Sequence, residues 1–282
     1  MAKMKRLLMS VAERTPVAAL YRSARDEWQF SHAVFAETPF GYRFAGIPKM
    51  MAGTYEPQER AALQDHLGPA ELFVDIGAYY GYFTCMACSL GKRVIAIEPV
   101  PANLRYLCAN LHINGWGAGV EIYPVGLADK PGLASLYGAG SGASLVPGWG
   151  GASRLFQRTT PLSTLDILLG SRFHGQRLVI KMDVEGAEYA ALQGAAGVLQ
   201  AVPRPVWLVE IMPSVYRGQT GNPQHNPHFL DTFELFWALG YKALAVDRQE
   251  KELSRSELEA YASTGIRGDW AANNYLFMPS GA

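Results

Sequence analysis

Three absences narrow this sequence before any motif is read. Charge imbalance is missing: Lys+Arg and Asp+Glu are 25 each, and the formal net charge is +0. A partner bound through phosphate neutralisation usually meets a basic protein, so nucleic acid is not expected. Cysteine is scarce, with only Cys85, Cys88 and Cys108. Cys85-x-x-Cys88 falls in a helical segment with no second pair, so both read as small packing residues rather than a metal or redox pair. An odd, unpaired set suits a reducing cytoplasm. Long apolar runs are also missing. The longest stretch near the start, Leu7 to Ala12, is cut at once by Glu13-Arg14, too short for a signal peptide or a span. An amphipathic helix lying on the domain is the expectation there, with peripheral membrane contact as the alternative.

What the chain does have is alternation. Hydrophobic residues make up 49% of 282, enough for one large α/β core. Helical character runs from residue 1 to about 27. The aromatic, Pro- and Gly-containing stretch Trp28 to Met51 reads as an antiparallel hairpin. A helix with Pro57 near its start covers 54–67. Strands are expected near 72–76, 93–98, 119–125, 177–183 and 205–211, and helices near 81–90, 101–113, 187–200 and 228–239. Tyr241–Asp247 and Asn274–Met278 close the sheet, the last strand antiparallel. This alternation predicts a mostly parallel sheet with helices on both faces. Gly138 to Ser153 breaks the rhythm with six glycines yet keeps Leu145, Val146 and Trp149, and reads as an ordered or ligand-ordered loop beside the site.

The stretch LFVDIGAYYGYFTCMACSLGKRVIAIEP at 72–99 is strand, glycine turn, helix, strand, acid. That is the layout of a nucleoside-cofactor site, with Glu98 placed to accept from two ribose hydroxyls. The spacing argues against a dinucleotide. Tyr79 stands where G-x-G-x-x-G has its second glycine and would crowd a diphosphate, and Asp75 would repel one. Asp75 suits a cationic ligand such as S-adenosylmethionine (SAM).

The second informative stretch is Lys181-Met-Asp-Val-Glu-Gly-Ala-Glu188. Asp183, Glu185 and Glu188 gather at the carboxyl end of one strand, and Glu210 ends the next. Like charges there need a cation or shared protons. Candidates are Lys181, the cofactor sulfonium, a metal or a substrate amine. Of the six histidines, His225 and His228 lie in a polar loop able to reach that face, whereas His32, His66, His112 and His174 read as structural. Trp28, Tyr42, Trp149 and Tyr216 are candidate pocket aromatics, although aromatics more often build core.

The chain resembles the FkbM-type SAM-dependent methyltransferases. TYEPQE at 54–59, FVDIGAYYGYFT at 73–84, IEPVPANLRYLCAN at 97–110 and PVGLADKPG at 124–132 carry the likeness. It continues through TTPLSTLDILL at 159–169, VIKMDVEGAEYAALQGA at 179–195, LVEI at 208–211 and NNYLF at 273–277. Tyr79-Tyr80 departs from it, since the family commonly has Asn and a small or apolar residue there. The resemblance implies a Rossmann-like class I methyltransferase fold of seven strands over 54–282, after a helix and hairpin extension over 1–53. It implies SAM as donor and a hydroxyl on a small metabolite, sugar or lipid as acceptor. Asp75, Gly77, Ala78 and Gly81 then line the methionine and ribose part, Glu98 and Pro99 the ribose, and Gly126 to Asp129 the adenine. Asp183 lies near the methyl group. Asp183, Glu185, His225 or His228 would take the proton, or Asp183 and Glu185 would hold a divalent metal. N-methylation and a silent SAM-binding scaffold are the alternatives, and an exposed N-terminal helix could pair subunits.

Overall fold

In a computed structural model, residues 17–152, 156–216, 223–246, 251–266, 268–270 and 273–280 are described. The central sheet is numbered β1 (Leu72–Ile76), β2 (Arg93–Ile97), β3 (Val120–Tyr123), β4 (Leu178–Met182), β5 (Val206–Glu210), β6 (Tyr241–Ala245) and β7 (Asn274–Pro279). Its spatial order is β6-β7-β5-β4-β1-β2-β3. β1 to β5 run parallel, and β7 is antiparallel to both β5 and β6. This is the expected Rossmann-like sheet with its antiparallel closing strand. β1 and β4 are buried at every position, as central strands covered on both faces must be. Packed helices divide the core into two apolar layers, one on each side of the sheet. One is built around Trp207, Phe233, Phe236 and Phe277, the other around Phe44, Leu63, Phe73 and Leu107.

The helices used below are α1 (Val17–Ser31), α2 (Pro57–Leu67), α3 (Tyr82–Ser89), α4 (Pro101–Ile113), α5 (Glu188–Gln193), α6 (Phe229–Trp237) and α7 (Arg255–Thr264). Pro57 and Pro101 start α2 and α4, where their missing N–H costs nothing.

Several expectations need correcting. The first described helix runs on to Ser31, so Trp28 lies within it and is 62% exposed. The hairpin shrinks to Ala36–Glu37 against Arg43–Phe44. The helical part expected over 1–16 lies outside the described residues. The segment 187–200 forms two short helices, α5 and Ala196–Leu199, rather than one. Gly194 sits at the break, where a Cβ would stand 2.1 Å from the carbonyl oxygen of Ala128. A second, three-stranded sheet of Gly126–Leu127, Gly132–Tyr137 and Gln157–Ser163 was not expected. α7 was also missed, although Ser254 and Glu257 form a capping box at its start. Among the described residues no helix is long and apolar enough to cross a membrane.

Candidate active site

A cavity of about 250 Å³ opens at the carboxyl ends of β1, β2, β4 and β5, where open α/β sheets bind ligands. Of the residues singled out in the sequence, Gly77, Glu98, Pro99, Gly126, Asp183 and Glu185 line it. Asp75 does not. It is buried beside Lys181 in the β1–β4 register and accepts the Thr84 hydroxyl at 2.6 Å. Ala78 and Gly81 shape the turn from below without lining the cavity, and Asp129 is exposed away from it. His225 and His228 are exposed and line no part of it. The His228 ring stacks on Tyr189 at 4.4 Å, and its Nδ1 is 3.0 Å from Asp231.

The glycine turn is closed on itself. Gly77 and Ala78 donate their amides to the carbonyl of Ile97, Gly81 donates to Ala78, and Tyr79 donates to Glu98 Oε2 at 2.8 Å. These four N–H groups are used up, so they offer no cradle to a pyrophosphate. Gly77 adopts φ +80°, and a Cβ there would meet Asp183. The tyrosine at 79 adopts φ +51° and turns its ring out onto Tyr80 at 3.9 Å, which stacks in turn on Tyr106 at 4.1 Å.

Glu98 is buried at one end of the cavity. Its Oε1 accepts from Val100 N at 2.8 Å and from Asn103 Nδ2 at 3.1 Å. Burial pushes its carboxyl up to about 7 despite these donors. Asn103 also donates to the carbonyl of Gly140 at 3.1 Å. The glycine-rich loop therefore does lie beside the site, contributing Gly140, Ser141, Ala143 and Leu145 to the wall. Its far side is pinned by Ser144 Oγ, which donates to the carbonyl of Glu185 at 2.6 Å. Trp149 is buried against Gly186 instead of facing the cavity, and Tyr42 belongs to the core.

The other end is carboxyl-rich. Register pairs Val209 with Met182, so Glu210 follows beside Asp183. Glu56, just before α2, faces them. Lys181 is buried among these acids, 3.3 Å from Asp183. Burial works against its charge, but Asp183, Glu56, Asp75 and Glu210 outweigh that and raise its pKa. Burial and neighbouring carboxylates push Glu185 up to about 8, burial pushes Glu188 up to about 7, and Glu210 rises well above the usual range for both reasons. Protons shared among crowded acids therefore answer much of the repulsion seen in the sequence. Tyr55, Glu56 and Glu210 were not chosen as site residues, and neither was Asn103. Among the described residues, no group of three or more His, Cys, Asp or Glu side chains is arranged to hold a metal ion.

A Rossmann-like sheet with a buried acid lining the cavity at the end of β2, and a glycine turn whose amides are closed to diphosphate, has the class I methyltransferase architecture. The chain belongs to the FkbM methyltransferase family: the methyltransferase FkbM domain matches residues 75–243. Among solved structures it is similar to the FkbM methyltransferase of Methylobacillus flagellatus KT at 19% identity and a TM-score of 0.43, over 74% of this chain and 44% of that one. The chain thus spans less than half the length of that relative. It is also similar to precorrin-6y C5,15-methyltransferase of Geobacter metallireducens GS-15, at 12% identity and a TM-score of 0.39, over 83% and 91% of the two chains. A third likeness is to geranyl diphosphate C-methyltransferase of Streptomyces coelicolor A3(2), at 14% identity and a TM-score of 0.41, over 81% and 79%. No curated protein matches it.

Proposed function

We propose that this protein methylates a hydroxyl oxygen of a small acceptor, with SAM as donor. One observation carries the reading: a single cavity has Glu98 with unused acceptor capacity at one end and the Asp183 cluster at the other. The residues fit the nucleoside. Gly77 keeps the wall free of a side chain, Glu98 takes ribose hydroxyls, and Pro99 and Gly126 flank the base. Bound SAM supplies an electrophilic methyl on a positively charged sulfur.

Methyl transfer is an in-line displacement, so the protein's task is alignment plus removal of one proton. Asp183 accepts the acceptor's hydroxyl proton, with Lys181 at 3.3 Å holding its carboxylate in place. Glu185, held near 8, is mostly protonated at neutral pH and donates a hydrogen bond rather than taking the proton. Glu56 and Tyr55, across the cavity, bound the space left for the acceptor.

Calorimetric titration with S-adenosylhomocysteine (SAH), beside NAD as control, tests the cofactor half. Binding of SAH alone is expected, and binding of neither removes the reading. A panel of hydroxyl and amine acceptors with labelled SAM tests the other half. An amine acceptor is the second reading, favoured by Glu56, Asp183, Glu185 and Glu210 crowding one end of the cavity. Transfer to amines alone would install it in place of the first.

A further inference from the structure

The wall of the cavity is one-sided in charge. Glu56, Glu98, Asp183, Glu185 and Glu210 line it, and among the described residues no Lys, Arg or His does. Lys181 lies under the wall. It is buried, 3.3 Å from Asp183, paired in register with Asp75 and 4.9 Å from the centre of the Phe83 ring.

Glu56 is the acid in this set with an ordinary role to fill and no sign of filling it. It stands at the N-cap of α2, where a polar side chain usually accepts from one of the free amides. Here the side chain makes no capping hydrogen bond, and the backbone adopts φ 40°, ψ 61°. The residue lines the cavity instead, with the Tyr55 hydroxyl, Lys181 and Asp183 as its electrostatic neighbours. Its place is fixed from behind. Asn274 Nδ2 donates to the buried Glu59 Oε1 at 2.9 Å, and Asn274 pairs with Glu210 across β5 and β7. The start of α2 is therefore tied to the strand end that carries Glu210.

Crowded carboxyls around one covered lysine favour a further positive charge in the space they enclose. With a nucleoside at Glu98, the carboxyl-rich end receives the sulfur. SAM and SAH differ there by one full charge. Transfer breaks the carbon–sulfur bond and leaves its electron pair on sulfur, which becomes a neutral thioether. The carbon–oxygen bond forms, and the acceptor's proton passes to Asp183. We propose that Glu56, with the carboxyls it faces, reads the charge on the cofactor's sulfur, so that the cavity holds the sulfonium of SAM in preference to the neutral thioether of SAH. This rests on the SAM reading above and adds a specificity-determining residue to it. Loss of charge in the reaction then loosens the product.

The test measures SAM, SAH and sinefungin, which carries an amine in place of the methylated sulfur, by calorimetry on the wild type and on Glu56→Gln. The three share one nucleoside and one amino-acid tail, so their ratios isolate the charge at the sulfur position. In the wild type SAM and sinefungin should each bind at least about tenfold more tightly than SAH. Glu56→Gln should weaken both by about tenfold and leave SAH within about twofold. A purely structural role for Glu56 would weaken all three in parallel, and that result overturns the proposal. The wild-type comparison decides the matter alone if the variant does not fold. A wild type that binds none of the three overturns the cofactor reading itself. A wild type that binds SAH as tightly as SAM and sinefungin overturns only the charge reading.

Discussion

A Cβ built on Gly77 would stand 1.9 Å from the carbonyl oxygen of Asp183. The turn that follows β1 and the residue that follows β4 are in backbone contact, and Asp183 N donates to the carbonyl of Ile76 at 3.0 Å across the same gap. The two halves of the site, more than a hundred residues apart in sequence, are thus locked by the one residue type that fits.

Gly77→Ala should therefore damage both fold and site. Alanine is strained at φ +80°, and its methyl must push the Asp183 backbone away. We expect a loss of about 2 kcal/mol or more of stability and at least a tenfold weaker SAH affinity. Thermal melts and calorimetry would show it. An alanine variant with wild-type melting and binding would mean that the two strand ends sit further apart.

Glu98 and Asp183 should separate binding from chemistry. Glu98→Ala removes the acceptor proposed for the ribose and leaves Asn103, Val100 and Tyr79 with donors to spare, so SAH binding should fall by about tenfold to a hundredfold. Asp183→Asn should keep SAH affinity within a few-fold and lose turnover. Equal behaviour of the two variants in titration would contradict this division.

The pH dependence of stability has a definite sign. Glu98 and Glu188 titrate near 7 and Glu185 near 8 in the folded chain, against an ordinary glutamate value of 4.5. Their contribution is fully present below 4.5. Between about pH 4.5 and 8 the folded state holds more protons than the unfolded one, so stability falls as pH rises through that window. The melting temperature of the ligand-free protein should drop from about pH 5 to about pH 8, and Glu185→Gln should flatten the slope. A melting temperature that climbs with pH would refute the proton inventory of the cavity.

Lys181→Met tests whether the buried cation is needed. The chain would keep its volume but leave Asp183, Glu56 and Asp75 facing one another without it. Removing one partner of a buried pair typically costs about 3 kcal/mol or more. The loss should shrink at low pH as the acids take up protons. A variant as stable as the wild type at neutral pH would show that proton sharing suffices.

Much of this arrangement was legible in the sequence, for physical reasons. Apolar runs ending in an acid mark strands that emerge from a core, so β1, β2, β4 and β5 were placed within about two residues, and Glu98 and Asp183 with them. The motif gave the turn at Gly77 because only glycine tolerates such a contact. What escaped notice depends on contacts across space. Nothing local marks Glu56 as facing Asp183, or Asn103 as bridging Glu98 to Gly140; those relations follow from how α2, α4 and the glycine-rich loop close over the strand ends. Asp75, by contrast, is buried and does not line the cavity. A carboxylate in a strand looks like a ligand group, but side chains alternate along a strand, and its partners Thr84 and Lys181 lie in the interior. His225 and His228 were offered because their polar loop could reach the strand ends, but both are exposed and line no part of the cavity.

Among the described residues, three without glycine's freedom adopt positive φ: Glu56 at +40°, Tyr79 at +51° and Glu185 at +55°. All three line the same cavity. Such conformations cost about 1 kcal/mol or more each, so the wall of the cavity is where this fold is least comfortable. An engineer seeking a hardier protein would begin with glycine at these positions. Each gain in heat tolerance would be taken from the wall of the cavity proposed to hold the cofactor, so thermostability and affinity should trade against each other there.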